Sequence, residues 1–329
     1  MSSLSELKDL RLVFLGQRSK HHPRRSHCAG AMLETMRLHR LFLVSAVLFL
    51  PLCVTSQSKA QSHAVSLTPA LVEAGSPEMI RVEAPGAVSI DGDWMGRGLQ
   101  FFRGRDGKTW FALAGVDVEG AVGASTLHIA AHQPGGGERD LSLAVEIHAA
   151  HYRTGKLSVA PQFVEPGPEA RARIKEEVAL KEKVFAASAT EPLWTGSFRA
   201  PVLAAPTDSF GTRRTFNGKL ASIHKGMDFR AATGTPVKAG NSGVVVLARL
   251  LYYEGNCVVI DHGLGFYTIS MHLSRIDVQE GERVAAGQRL GLSGATGRVT
   301  GPHLHWAVRW QGAYLDPAKL LRLDLAMAK

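Results

Sequence analysis

Five polar residues in the last third of the chain offer metal chemistry. They are His224 and Asp228 in Ile223-His224-Lys225-Gly226-Met227-Asp228-Phe229, His272 in Met271-His272-Leu273-Ser274, and His303 and His305 in Gly301-Pro302-His303-Leu304-His305-Trp306. Imidazole and carboxylate are ligands zinc accepts, and zinc in hydrolytic sites keeps three protein ligands and one open position. The five residues supply a His/Asp/His set with two imidazoles to spare, which points to metal-assisted hydrolysis. His303 and His305 are two residues apart, so on a strand they share a face, while Leu304 and Trp306 turn to the other side and anchor the strand in a core. One histidine can then ligate while its neighbour leans toward the metal's open position. His224 and Asp228 are four apart, a spacing a helix would also bring together. Gly226 and the run Ala231-Ala232-Thr233-Gly234-Thr235-Pro236 argue instead for a loop entering a short strand.

Each motif alone has a plainer meaning. An H-x-H pair is commonly two half-buried strand histidines, and an isolated H-x-x-x-D says less. The information lies in finding both within about eighty residues, with His272 between them. The glycine-rich Gly291-Leu292-Ser293-Gly294-Ala295-Thr296-Gly297 lacks the strand-then-helix setting and the Lys-Ser/Thr ending of a phosphate loop. It reads as a tight loop that aims the H-x-H strand.

From Phe198 to about Leu321 the chain resembles the lysostaphin/LytM family of zinc metallopeptidases, which cut peptide bonds in bacterial cell-wall peptidoglycan. The matching segments fall in the family's order: Ser209-Phe210-Gly211, His224-Lys225-Gly226-Met227-Asp228-Phe229, Gly234-Thr235-Pro236-Val237, Asp261-His262-Gly263, His272-Leu273, Gly287-Gln288-Arg289-Leu290-Gly291 and Thr300-Gly301-Pro302-His303-Leu304-His305-Trp306. The resemblance implies one zinc ion held by His224, Asp228 and His305, with His272 and His303 as catalytic histidines. It implies an endopeptidase that attacks peptidoglycan stem-peptide cross-links with a metal-bound water. Imidazoles with ordinary pKa values near 6.5 suit proton transfer and oxyanion stabilisation at neutral pH. A ligating imidazole also wants its second nitrogen held by an acceptor, which the sequence does not identify. Two positions depart from the family pattern: Ser270 stands where an aromatic is frequent, and Ala307 where an acidic residue is. Both bear on substrate preference rather than on the reaction.

The elements that must position these residues are strands. Val244 to Leu247 and Cys257 to Ile260 are runs of β-formers bounded by glycines, and turn signals recur from Val278 to Gly287. The fold expected is mainly β: an antiparallel metallopeptidase domain of the LytM type at 198–325, preceded by a linker with a helix at 158–197 and an immunoglobulin-like β-sandwich at 64–157. The sandwich rests on the alternation in Leu141-Ser142-Leu143-Ala144-Val145-Glu146-Ile147-His148 and on turn clusters such as Pro134-Gly135-Gly136-Gly137. Its aromatic residues Trp94, Phe101, Phe102, Trp110 and Phe111 read as core before they read as a carbohydrate surface. Pro168 to Ser188 reads as one amphipathic helix opened by Pro168.

Arg37, His39 and Arg40 precede the apolar run Leu41 to Leu50, and Ser58-Lys59-Ala60 offers a small-residue exit. That is the layout of a secretory signal peptide at 36–60, with 1–35 as an upstream extension and no stable membrane span after cleavage. Leu50-Pro51-Leu52 fits lipidation at Cys53 poorly. Residues 1–40 hold eight Lys/Arg and three Asp/Glu, so most of the formal +9 leaves with this segment. The remainder suits an anionic wall polymer and demands no nucleic acid. Cys257 would be the sole cysteine of the cleaved chain and reads as a buried strand residue. The sequence thus predicts an exported, periplasmic or envelope-associated enzyme. The alternative is a non-catalytic or latent wall-bound regulator of other hydrolases, working with a wall regulatory partner; retention of all five residues favours the enzyme.

Overall fold

A computed structural model describes residues 64–325. The signal segment at 36–60, the upstream extension and Cys53 lie outside them. Among the described residues no helix is long and apolar enough to cross a membrane.

The chain is mainly β. Two sheets come first. One has four antiparallel strands, Val65–Thr68, Pro77–Glu83, Thr109–Gly115 and Phe102–Arg103. The other has five, in the spatial order Val72–Glu73, Glu138–His148, Gly123–His132, Ser89–Trp94 and Arg97–Gly98. Alternation sets their faces: Leu127, Ile129 and Ala131 are buried, as are Leu141, Val145 and Ile147. Trp94, Phe102, Trp110 and Phe111 are buried in the same apolar cluster, and Phe101 packs on its edge, so the aromatic residues are core.

The C-terminal part is an eight-stranded antiparallel sheet. Its main path runs Pro206–Asp208, Met227–Phe229, Leu304–Trp310, Phe266–Leu273, Gly255–Asp261, Gly243–Leu251 and Arg283–Val284, and Ala313–Leu315 pairs beside Leu304–Trp310. Both faces are covered. Leu304, Trp306, Val308 and Trp310 point into the large cluster shared with the N-terminal sheets. Leu247, Leu251, Cys257, Val259, Tyr267, Ile269 and Ala307 form a second cluster on the opposite face. Cys257 is a free, buried thiol there, with its pKa pushed well up by burial.

Helix α1, Pro168–Phe185, covers this second cluster with Leu180, Val184 and Phe185. It begins at the proline, whose missing N–H costs nothing in a first turn, and ends three residues before the expected Ser188. The segment after it is tied down rather than loose. Ser188 Oγ and Ala189 N–H donate to the Asp261 carboxylate at 2.7 and 2.9 Å, and the Trp194 ring meets Phe102 edge-on at 5.7 Å and Phe266 at 6.4 Å. This explains Asp261 and His262 within the Asp261-His262-Gly263 motif. Asp261 gathers the linker, and buried His262 joins Ser242 O at 2.7 Å to Thr268 Oγ1 at 2.8 Å.

Candidate metal centre

Register builds the site. The central strand Leu304–Trp310 has Met227–Phe229 on one side and Phe266–Leu273 on the other, placing His305 opposite both Asp228 and Met271. Cross-strand partners in an antiparallel pair carry their side chains on the same face, so Asp228 and His305 meet without any special loop. His224 leaves the end of the Leu220–Ile223 strand and reaches the next strand, Met227–Phe229, through Lys225 and Gly226. The loop-into-strand expected from Gly226 is what forms. Gly226 has a steric reason as well: a Cβ on it would lie 2.4 Å from His305 Nε2.

Three ligand atoms converge. His224 Nε2 is 3.0 Å from Asp228 Oδ1 and 3.0 Å from His305 Nδ1, and His305 Nδ1 is 2.9 Å from Asp228 Oδ1. His224 Nδ1–H donates to the Ser209 carbonyl at 2.9 Å, leaving a lone pair on Nε2. Two ring nitrogens and a carboxylate oxygen therefore crowd one point with at most one proton to share, an arrangement that calls for a cation. Ligand atoms around a four-coordinate zinc with bonds near 2.0–2.1 Å stand about 3.3 Å apart. The trio fits zinc with an outward adjustment of a few tenths of an ångström.

The two remaining histidines border this point. His272 and His303 have ring centroids 5.0 Å apart, and His272 lies 5.9 Å from His305. His303 Nε2 is 3.7 Å from Asp228 Oδ1. Each has Nδ1 held by a backbone carbonyl, His272 by Thr296 O at 2.9 Å and His303 by Gly301 O at 2.8 Å. Donation of Nδ1–H in both cases leaves each Nε2 free to exchange a proton. His303 precedes its strand by one residue and bridges Gly294, so the glycine-rich loop does aim the H-x-H segment.

His272 sits in a bulge. The pairing of Gly255–Asp261 with Phe266–Leu273 slips between Asn256 and Val258, and His272 adopts φ +63°. A bulge re-aims a side chain, and left-handed backbone at a residue other than glycine persists only where its surroundings enforce it. His272 N–H donates to Glu254 O at 2.9 Å, which with the Thr296 carbonyl holds the residue at both ends.

Burial sets the electrostatics. The His272 pKa is lowered to about 3, first by burial and then by His305 and His303, and that of His305 to about 4 by burial, offset in part by Asp228. Both imidazoles are therefore neutral at neutral pH. Burial alone would raise the Asp228 carboxyl, but hydrogen bonds to His224 and His305 hold it well below the usual carboxylate range.

Arg214 and Asp208 were not legible beforehand. Arg214 Nη2 donates to Asp228 Oδ2 at 2.8 Å, and its guanidinium also grips Asp208, with Nε 3.0 Å from Oδ2. Arg214 therefore holds the Asp228 oxygen that faces away from the trio. One arginine of the Arg213-Arg214 pair carries no spacing signal for such a role.

Residues 222–317 match Peptidase family M23, and with the antiparallel sheet described above they are a peptidase domain of the M23 type. Among curated proteins, the chain is 46% identical over 110 residues to the peptidoglycan DD-endopeptidase ShyA of Vibrio cholerae serotype O1, covering 33% of this chain and 25% of that protein. It is 40% identical over 98 residues to the DD-carboxypeptidase/endopeptidase Mpg of Neisseria meningitidis serogroup B, covering 30% of this chain and 23% of that protein. The match thus spans about a quarter of each relative's length. A crystal structure assigned to peptidase M23 from Pseudomonas aeruginosa superposes on 74% of this chain and 92% of its own, with a TM-score of 0.55 at 28% identity.

Proposed function

We propose that this protein is a zinc-dependent endopeptidase of the cell envelope that hydrolyses peptide cross-links of peptidoglycan. The observation that carries the reading is the meeting of His224 Nε2, Asp228 Oδ1 and His305 Nδ1 beside two histidines whose Nδ1 atoms are tied to main-chain carbonyls. The peptidoglycan endopeptidases among the relatives supply the substrate class.

His224, Asp228 and His305 would hold the ion. Zinc bound there supplies Lewis acidity toward a peptide carbonyl and toward water. The chain's own residues do the rest. The Ser209 carbonyl fixes the His224 ring, and Arg214 fixes the Asp228 carboxylate. His272 and His303 border this point with Nδ1 tied to main-chain carbonyls, and their Nε2 atoms would accept a proton from attacking water, return it to the leaving amine and donate to the developing oxyanion. Burial of His272 keeps its ring neutral at neutral pH.

Incubation of the purified chain with isolated cross-linked muropeptide dimers tests the reading. Conversion to monomers is expected. Intact dimers in the presence of protein shown to carry zinc would point instead to a regulator of other wall hydrolases.

A further inference from the structure

Helix α1 lies on the sheet face that carries the candidate site, because His305 and Ala307 alternate onto the face whose apolar cluster the helix covers. Its polar side chains do more than solvate it. Arg173, Glu177 and Lys181 are spaced four apart and form one stripe along the helix. All three reach residues 250–255, the turn between Gly243–Leu251 and Gly255–Asp261 together with the strand ends that flank it. Arg173 Nη2 donates to Leu250 O at 3.3 Å, while its Nε donates to Glu177 Oε1 at 2.7 Å. Glu177 Oε2 accepts from Tyr252 N–H at 2.8 Å. Lys181 Nζ pairs with Glu254 Oε1, and Glu254 Oε2 is buried with no hydrogen-bond partner. The Glu254 carboxylate thus relies on Lys181.

The same turn holds both anchors of His272. The Glu254 carbonyl accepts His272 N–H at 2.9 Å. Thr296, whose carbonyl accepts from His272 Nδ1–H, is tied to the turn through Asn256 N–H to Thr296 Oγ1 at 2.9 Å. Close packing locks the two segments: a Cβ on Gly255 would lie 2.4 Å from the Thr296 backbone, and one on Gly297 would lie 2.4 Å from Gly255 N. His272 itself holds φ +63°, which needs such enforcement.

We propose that helix α1 is a working part of the peptidase site, with Glu177 and Lys181 as positioning residues that hold the 250–255 turn and, through it, His272. This rests on the reading of His272 as one of the catalytic pair. The functional module then begins at the helix, well before the residues that match the peptidase family.

The test uses the full chain with Glu177→Leu, Glu177→Gln and Lys181→Met, and reads amide hydrogen exchange by NMR beside steady-state kinetics. Glu177→Leu and Lys181→Met are each expected to speed exchange of the His272 amide about tenfold and leave Val258–Ile260 unchanged, as a local opening would. They should lower kcat about tenfold with KM within about twofold, and leave zinc content intact. Glu177→Gln keeps one acceptor for Tyr252 N–H while giving up the bond from Arg173 Nε, and should fall much closer to the parent than Glu177→Leu does. Removing both charges in Lys181→Met/Glu254→Gln should recover part of the loss, since no uncompensated buried charge remains. Unchanged exchange at His272 in both single variants would overturn the proposal. So would faster exchange spread equally over Val258–Ile260, because the helix would then support the whole sheet. If the parent protein proves to lack peptidase activity, the reading above fails, while the exchange at His272 still decides whether the helix positions it.

Discussion

Asp228 stands directly across the sheet from His305, with Oδ1 2.9 Å from Nδ1, although the two are 77 residues apart in the chain. Strand pairing, rather than a dedicated loop, creates the contact. A slip of one residue in that register would turn one of the two to the other face. The positions of Met227, Phe229, Leu304 and Trp306 in the apolar core therefore fix the ligand geometry as firmly as the ligands' own hydrogen bonds do.

The two histidines of the H-x-H segment should separate by experiment. His305→Ala should lose zinc and activity together. His303→Ala should keep zinc at one ion per chain and lose activity by about 100-fold or more, the scale of a general acid or base. Metal analysis and turnover on cross-linked muropeptides check both, and retained turnover in either variant contradicts the assigned roles.

Arg214 should tune affinity for the ion. Arg214→Met frees Asp228 Oδ2 and leaves Asp208 without its guanidinium partner. Loss of such a supporting contact typically costs about 10–100-fold in metal affinity. Competition with a chromophoric chelator measures it, and an unchanged zinc Kd would remove Arg214 from the account.

Gly226→Ala should displace the His305 ring, since the added carbon would lie 2.4 Å from Nε2. The expected result is weaker zinc binding in a protein whose circular dichroism matches the parent. Unaltered binding would mean that the Lys225-Gly226 segment yields more readily than its neighbours suggest.

Acid should destabilise the fold through His262. Its pKa is lowered to about 4 by burial, while an unfolded imidazole titrates near 6.5. Between those values the unfolded chain binds more protons, so stability rises with pH across the window and is lost as pH falls from about 6.5 toward 4. The shift corresponds to roughly 3 kcal/mol at full extent. Urea unfolding of the zinc-loaded protein at pH 7 and pH 4.5 should show a smaller loss for His262→Gln than for the parent. Equal losses would sink the assignment.

The legible part of this site is the part written in side chains at short spacing. His224 with Asp228 and His303 with His305 announce themselves through H-x-x-x-D and H-x-H, and the apolar alternation about Leu304 and Trp306 shows which way the strand faces. What orients the rings was not legible, because three of the acceptors are the main-chain oxygens of Ser209, Thr296 and Gly301, which carry no side-chain signal. The left-handed backbone at His272 comes from a bulge fixed by pairing across the sheet, with no glycine to mark it. Arg173, Glu177 and Lys181 have the spacing of a solvated helix face, and only the fold shows the turn they hold. The helix and the mainly β architecture were readable from Pro168, the alternating strands and the glycine-bounded turns.

The most direct test of zinc-dependent cross-link hydrolysis is digestion of purified cross-linked sacculi, with and without chelator and with zinc restored, reading released muropeptides by mass. Loss of cross-linked dimers that the chelator abolishes and zinc restores is the predicted result. Dimers that persist with one zinc bound per chain would contradict it.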